Sequence, residues 1–70
     1  MKAIWNVEMR AMNGTVTMMT ETSAFISKDI AEKAAETIKE KNKDSQFHVL
    51  TRVYESKLYE TLEEVPFLNQ

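Results

Sequence analysis

Few side chains in this sequence are of types that perform acid–base, nucleophilic or metal chemistry. His48 is the only histidine, and the chain has no cysteine, so a histidine cage or a thiolate metal site cannot form. A catalytic His48 would need a hydroxyl brought to it by the fold, and the single glycine, Gly14, cannot build a nucleophile elbow. Phosphate-cradling loops also need several glycines. We therefore expect no enzyme activity, no metal and no cofactor.

The charged groups with the most regular spacing lie at every fourth position of a predicted helix, at Glu32, Glu36 and Glu40. Such a ladder is suited to a basic partner or a cation, although like charges at this spacing are mildly destabilising. The alternative is a solvated face whose repulsion is relieved by nearby lysines, Lys33, Lys39 and Lys43. Lysines near a helix C-terminus are expected from the helix dipole alone.

The length and composition predict one small globular domain over residues 1–70. Hydrophobic side chains make up 43% of the 70 residues, charged ones 29%, and the net charge is −2. A chain this short buries only about 60% of its unfolded surface, and without disulfides we expect self-association, as a homodimer, to add stability. The lack of cysteine, of a signal peptide and of an apolar membrane span predicts a cytoplasmic protein.

Asn13-Gly14 predicts a two-residue hairpin turn between strands at residues 2–12 and 15–26. In the predicted register Met12 faces Thr15, Met9 faces Met18 and Trp5 faces Thr22. Alternation then places Met19 and Phe25 on the sheet face opposite Trp5.

A helix is predicted over residues 28–42, capped by Ser27, with an alanine-rich apolar stripe that allows close packing on a sheet. The large side chains of that layer are expected from the strands: Trp5, Val7, Met9 and Met18. A third strand at residues 46–55 directs Phe47, Val49, Thr51 and Val53 to the helix and pairs with the first strand. The result is an α+β, two-layer ββαβ fold with strand order 2-1-3 and Trp5 on the central strand.

The tail, residues 56–70, fits two templates. Leu58, Glu60 and Leu62 alternate as in a short fourth strand, whereas Leu58, Leu62 and Val65 recur at helix-like spacing. Pro66 ends either element.

The face without the helix is predicted to carry too many large apolar groups for a free monomer. The tail, a second copy or a foreign partner is expected to cover it. The candidate partner surface consists of seven residues: Ile4, Met12, Met19, Phe25, Leu50, Arg52 and Tyr54.

We interpret the chain as a non-enzymatic protein-interaction or regulatory module that presents this face to a protein partner. The alternative is a nucleic-acid-binding accessory protein that uses Arg10, Arg52, His48, Phe25 and Tyr54 on the same face. The net negative charge argues against this alternative.

Two segments carry a resemblance. The run Ser27-Lys28-Asp29-Ile30-Ala31-Glu32-Lys33-Ala34-Ala35 after an alternating ribbon, and the strand ending Val53-Tyr54-Glu55-Ser56, resemble small uncharacterised proteins of bacteriophages and Gram-positive bacteria. The resemblance spans most of the chain and implies a phage or prophage origin. It carries over no functional residues.

Overall fold

A computed structural model describes residues 2–68 of the chain. Strand β1 spans Lys2–Asn13, β2 spans Val16–Phe25, helix α1 spans Lys28–Lys41 and β3 spans His48–Leu58. Both β2 and β3 pair antiparallel with β1, which gives the strand order β2-β1-β3. The predicted α+β class, the ββαβ element order and the central position of β1 are confirmed.

The third strand is longer at its end than predicted, because pairing with β1 continues to Leu58 opposite Lys2. Beyond it, Leu62–Glu64 and Pro66–Leu68 each form one turn of 3₁₀ helix. Of the two templates for the tail, the helical turn is therefore the one present.

The hairpin turn lies one residue later than predicted. Gly14 and Thr15 form the loop, so Asn13 faces Val16. Gly14 has a φ of 62°, and no non-glycine residue in the described part of the chain has a positive φ. A two-residue turn with positive φ only at its first position is of type II′, which requires glycine there. This chain therefore uses its glycine first in the loop, and not second as in the predicted turn.

A β-bulge shifts the hairpin register further. Met12 pairs with Thr17 but Ala11 pairs with Met19, which leaves Met18 as an extra residue on β2. Beyond the bulge Trp5 faces Phe25, and Met9 faces Glu21 in place of the predicted Met18. The predicted hairpin register is therefore wrong, by an odd number of residues, so every side chain of β2 beyond the bulge lies on the opposite face from the one predicted.

Helix α1 begins where the sequence predicts. The Ile30 amide donates to Ser27 Oγ over 3.2 Å, and Asp29 lies in the first turn. The Asn42 side chain donates to the Ile38 carbonyl over 2.7 Å at the other end. Both ends of the helix thus have partners for backbone groups that the helix itself leaves unpaired.

The core lies between the alanine stripe of α1 and the middle of the sheet. Val7 is 1% exposed and Ala31 is fully buried, and both cluster with Ala35. Small helix residues let α1 approach the sheet, and five partly buried hydrophobic side chains pack against this cluster: Trp5, Phe25, Ala34, Ile38 and Val53. Of the four strand side chains expected to fill this layer, Trp5 and Val7 do so. Met9 is half-buried outside the cluster, and Met18, at the bulge in β2, is 54% exposed.

Candidate protein-binding site on the open sheet face

The face of the sheet turned away from α1 is called the open face here. Val7 packs on the helix, so the even-numbered residues of β1 point the other way, together with the residues that pair with them. From the three strands the open face comprises Lys2, Ile4, Asn6, Glu8, Arg10, Met12, Thr17, Thr20, Thr22, Ala24, His48, Leu50, Arg52, Tyr54, Ser56 and Leu58.

Two residues of the predicted partner surface do not lie on this face. Phe25 pairs with Trp5 and packs against the core cluster under α1. Met19 faces Ala11 and therefore lies on the helix side, although it stays exposed because α1 covers β1 and β3 more than β2. The odd register shift is the cause of both corrections.

Five residues of the predicted partner surface do share the open face: Ile4, Met12, Leu50, Arg52 and Tyr54. Ile4, Met12 and Tyr54 are half-buried by their neighbours, whereas Leu50 is 45% exposed. Leu58 adds a further exposed aliphatic group at the far end of β3. The apolar part of this face is therefore smaller than predicted, and Leu50, the third residue of β3, is the most exposed apolar member of the predicted set that it keeps.

A three-residue charge cluster lies beside Leu50. Glu8 Oε1 is 3.0 Å from Arg10 Nε, and Glu8 Oε2 is 3.7 Å from Nη2 of Arg52, its direct neighbour on β3. The Glu8 side chain is only 16% exposed, whereas both arginines are at least half exposed. The carboxylate thus binds the Arg10 guanidinium closely and pairs more loosely with that of Arg52, while most of their N–H donors remain free of Glu8.

Polar and aromatic contacts fix the rest of the face. The Arg52 guanidinium lies 4.3 Å from the centre of the Tyr54 ring, a cation–π contact. Asn6 Nδ2 donates to Ser56 Oγ over 2.8 Å, across the pair β1 and β3. Thr17 Oγ1 donates to Met12 Sδ over 3.3 Å, across β1 and β2. These links tie all three strands and restrict the side chains that a partner would meet.

A shallow depression of about 360 Å³ lies among Glu8, Arg10, Leu50, Thr51 and Arg52. Its lining combines one aliphatic side chain, Leu50, with two arginines and one carboxylate. The whole open face carries Lys2, Arg10 and Arg52 against Glu8, which is three positive charges against one negative, or +2 with His48 neutral. Such a surface fits an apolar side chain with a carboxylate next to it.

His48 is the first residue of β3, two positions before Leu50, and borders a depression of about 390 Å³ that also includes Lys39, Asn42, Ser45 and Phe47. Ser45 Oγ accepts a hydrogen bond from the Phe47 amide over 3.1 Å. Among the described residues, no hydrogen bond joins His48 to Ser45.

The glutamate ladder on α1 is partly paired with lysines. Glu32 lies 3.9 Å from Lys28 Nζ, and Glu40 lies 2.8 Å from Lys43 Nζ. Pairs of this kind on a helix surface contribute only a few tenths of a kcal/mol. The structure therefore favours a solvated face for the ladder.

The tail buries only part of its apolar side chains. Leu62, Phe67 and Leu68 remain exposed, while Val65 is buried.

Within residues 2–68, no three histidine, aspartate or glutamate side chains are grouped closely enough to hold a metal ion. None of the helices in that range is long and apolar enough to cross a membrane.

Sequence reasoning missed the role of Glu8, whose partners come from two strands. The signal was present, because Glu8 opposite Arg52 is an opposite-charge cross-strand pair. It could be read only with the register of β1 against β3, and no tight turn connects these strands to fix that register.

Comparison of the chain with protein-family models, with curated proteins and with solved structures finds no match. The resemblance to small phage and Gram-positive proteins stays a prediction. No family is assigned, and the function has to be argued from the open face itself.

Proposed function

We propose that this chain is a non-enzymatic, cytoplasmic protein-interaction module, a homodimer, which binds a partner protein through the open face. The observation that supports this proposal is the exposed Leu50 beside two arginines, Arg10, which lies 3.0 Å from Glu8, and Arg52, which stacks on the Tyr54 ring and lies 3.7 Å from Glu8. Anchored arginines beside an aliphatic group are typical of interface centres, since little side-chain entropy is lost on binding.

The chemistry of the face defines the partner class. An apolar side chain of the partner would cover Leu50, and carboxylates of the partner would accept from the free donors of Arg10 and Arg52. The partner is thus a protein with an acidic, apolar binding segment. A net charge of +2 on the face would also speed the approach of such a segment at low salt.

The test uses two substitutions of nearly equal exposure on opposite faces. Leu50 is 45% exposed on the open face, and Ile30 is 47% exposed on α1. Leu50→Glu places a carboxylate between Arg10 and Arg52 and competes with the partner for them. Ile30→Glu adds the same charge in the first helical turn, where the helix dipole tolerates it.

The expected result is that immobilised wild type and Ile30→Glu retain the same protein from a lysate of the source cells, while Leu50→Glu loses it. A truncation at a central contact typically costs about 2 kcal/mol or more, which is roughly a 30-fold loss of affinity. Equal retention by all three chains would reject the open face as the binding surface. Circular dichroism of both variants checks that each is folded.

Nucleic-acid binding is the second candidate, and the positive charge of the open face favours it. Two features oppose it, since Phe25 packs under α1 and the Tyr54 ring is covered on one side by Arg52. An aromatic platform for base stacking is therefore reduced to a single partly covered ring. Single-stranded oligonucleotides that bind with an affinity falling steeply as salt rises would support this candidate over the first.

A further inference from the structure

The two edges of the sheet differ in how well they are protected. The outer strand β3 carries His48, Arg52, Glu55 and Lys57, and charged side chains discourage edge-to-edge pairing. The other outer strand, β2, carries Glu21 as its one charged residue and has no lysine or proline. Every residue of β2 before Phe25 is exposed. Strand β2 is therefore an open template for another strand.

A single chain exposes more surface to solvent than a compact monomer of the same mass. The accessible area is 5548 Å² for an 8.1 kDa chain, whereas a compact monomer of this mass exposes about 4,500 Å². The radius of gyration, 15.4 Å, likewise exceeds the roughly 11 Å of a compact domain of this length. The excess of about 1,000 Å² is close to the roughly 800 Å² that each partner loses in a standard interface.

The bulge determines which part of β2 can form a regular ladder. Pairing with β1 is continuous from Met19 to Phe25 and is interrupted at Met18. An antiparallel pairing of this segment with itself, about a two-fold axis, uses its whole length only if Thr22 faces Thr22 of the second copy. Thr20 then faces Ala24 of the second copy, and Met19 faces Phe25.

This register is chemically self-complementary, which favours a second copy over a foreign strand. Glu21 faces Ser23 of the second copy, so the single charge of β2 does not meet itself directly. Paired threonines are favourable cross-strand neighbours. Met19 beside the Phe25 ring forms a sulfur–aromatic contact at each end of the ladder.

We propose that two copies of this chain join through β2, in antiparallel register centred on Thr22, to form one six-stranded sheet. This inference rests on the homodimer in the proposed function and adds its surface and register. A two-fold axis perpendicular to the sheet keeps both helices on one side. Both open faces then lie on the other side as one continuous surface, which presents two Arg10–Glu8–Arg52 clusters to a partner.

The absence of cysteine in the chain allows a direct test with single cysteines. In this register the two Thr22 Cα atoms are about 4.5–5.5 Å apart, which lies within the range that a disulfide bridges. The two Thr20 Cα atoms are separated by about 13 Å along the strands. Thr22→Cys should therefore form a covalent dimer in mild oxidant, and Thr20→Cys, on the same face of the same strand, should not.

Sedimentation equilibrium of the reduced chains gives the second measurement. Wild type should have twice the mass of the 8.1 kDa chain, and Thr22→Lys, which places two lysines opposite each other, should raise the dimer Kd about tenfold. Thr61→Lys, the same change at an exposed residue between β3 and the first 3₁₀ turn, should leave that Kd unchanged.

Each other outcome overturns the inference in a different way. Cross-linking at Thr20 and not at Thr22 would reject the register. A dimeric wild type with no cross-link at either position would reject β2 as the interface and leave the proposed homodimer standing. A monomeric wild type would reject both the interface and the homodimer, while partner binding by the open face would still be decided by Leu50→Glu.

Discussion

Val7 is the largest side chain that is almost completely buried, so its truncation measures how much the thin core contributes. It is 1% exposed and packs with Ala31 and Ala35 under α1. Removing one buried methylene costs about 0.5–1.5 kcal/mol, and Val7→Ala removes the equivalent of two methylenes. The expected loss is therefore about 2 kcal/mol of unfolding free energy. The alanine side chains beside the site are too small to move into the cavity that the substitution leaves.

Val16→Ala is the matched control, because Val16 is 59% exposed on β2 and lies outside the proposed ladder. It should cost no more than about 0.5 kcal/mol. Urea unfolding followed by Trp5 fluorescence measures both variants, at one fixed protein concentration because dimerisation contributes to stability. A chain of this size has about 3.5–10 kcal/mol in total, so Val7→Ala should lower the midpoint clearly. Equal losses at Val7 and Val16 would show that the core described here is not the source of stability.

Three further substitutions test the turn, the helix cap and the close approach of the helix. Gly14→Ala should cost about 1–2 kcal/mol, because its φ of 62° lies in the left-handed region, and Gly14→Asn should cost less; thermal unfolding that ranks them otherwise contradicts the turn. Ser27→Ala should cost about 1 kcal/mol by removing the bond from the Ile30 amide, whereas Ser27→Asp should retain stability in the same assay. Ala31→Leu should cost about 1–3 kcal/mol by forcing α1 away from the sheet, and an unchanged urea midpoint would mean that the helix does not pack closely there.

The element order could be predicted because its signals are local. A glycine-containing turn, a serine cap with Asp29 behind it, and an alanine stripe each act within a few residues, and they agree with one another. The strand order then follows from a helix that links β2 to β3 and leaves β1 in the centre. The end of β3 was predicted too early. Ser56 to Leu58 belong to the strand because they pair with the first residues of β1, and the sequence of β3 alone does not show that pairing.

The face of Met19 and Phe25 was predicted wrongly, because the sequence from Val16 to Thr20 does not alternate. Met18 and Met19 are adjacent, so either one fits the apolar face, and a bulge at this point leaves no separate mark in the sequence. The position of Phe25 held one usable clue, since an aromatic residue just before a helix packs well beside Trp5 under that helix. Weighing that clue above the turn position would have predicted the observed face.

Pairing of β2 with β2 of a second copy is tested most directly by nuclear Overhauser effects between Met19 and Phe25. Within one chain these residues lie six positions apart on a single strand, about 20 Å, which is too far for such an effect. In the proposed dimer the Met19 methyl group lies against the Phe25 ring of the second copy. A mixture of isotope-labelled and unlabelled chains should therefore give an intermolecular signal between the two side chains. Intermolecular signals that arise only from α1 or β3 would contradict the pairing.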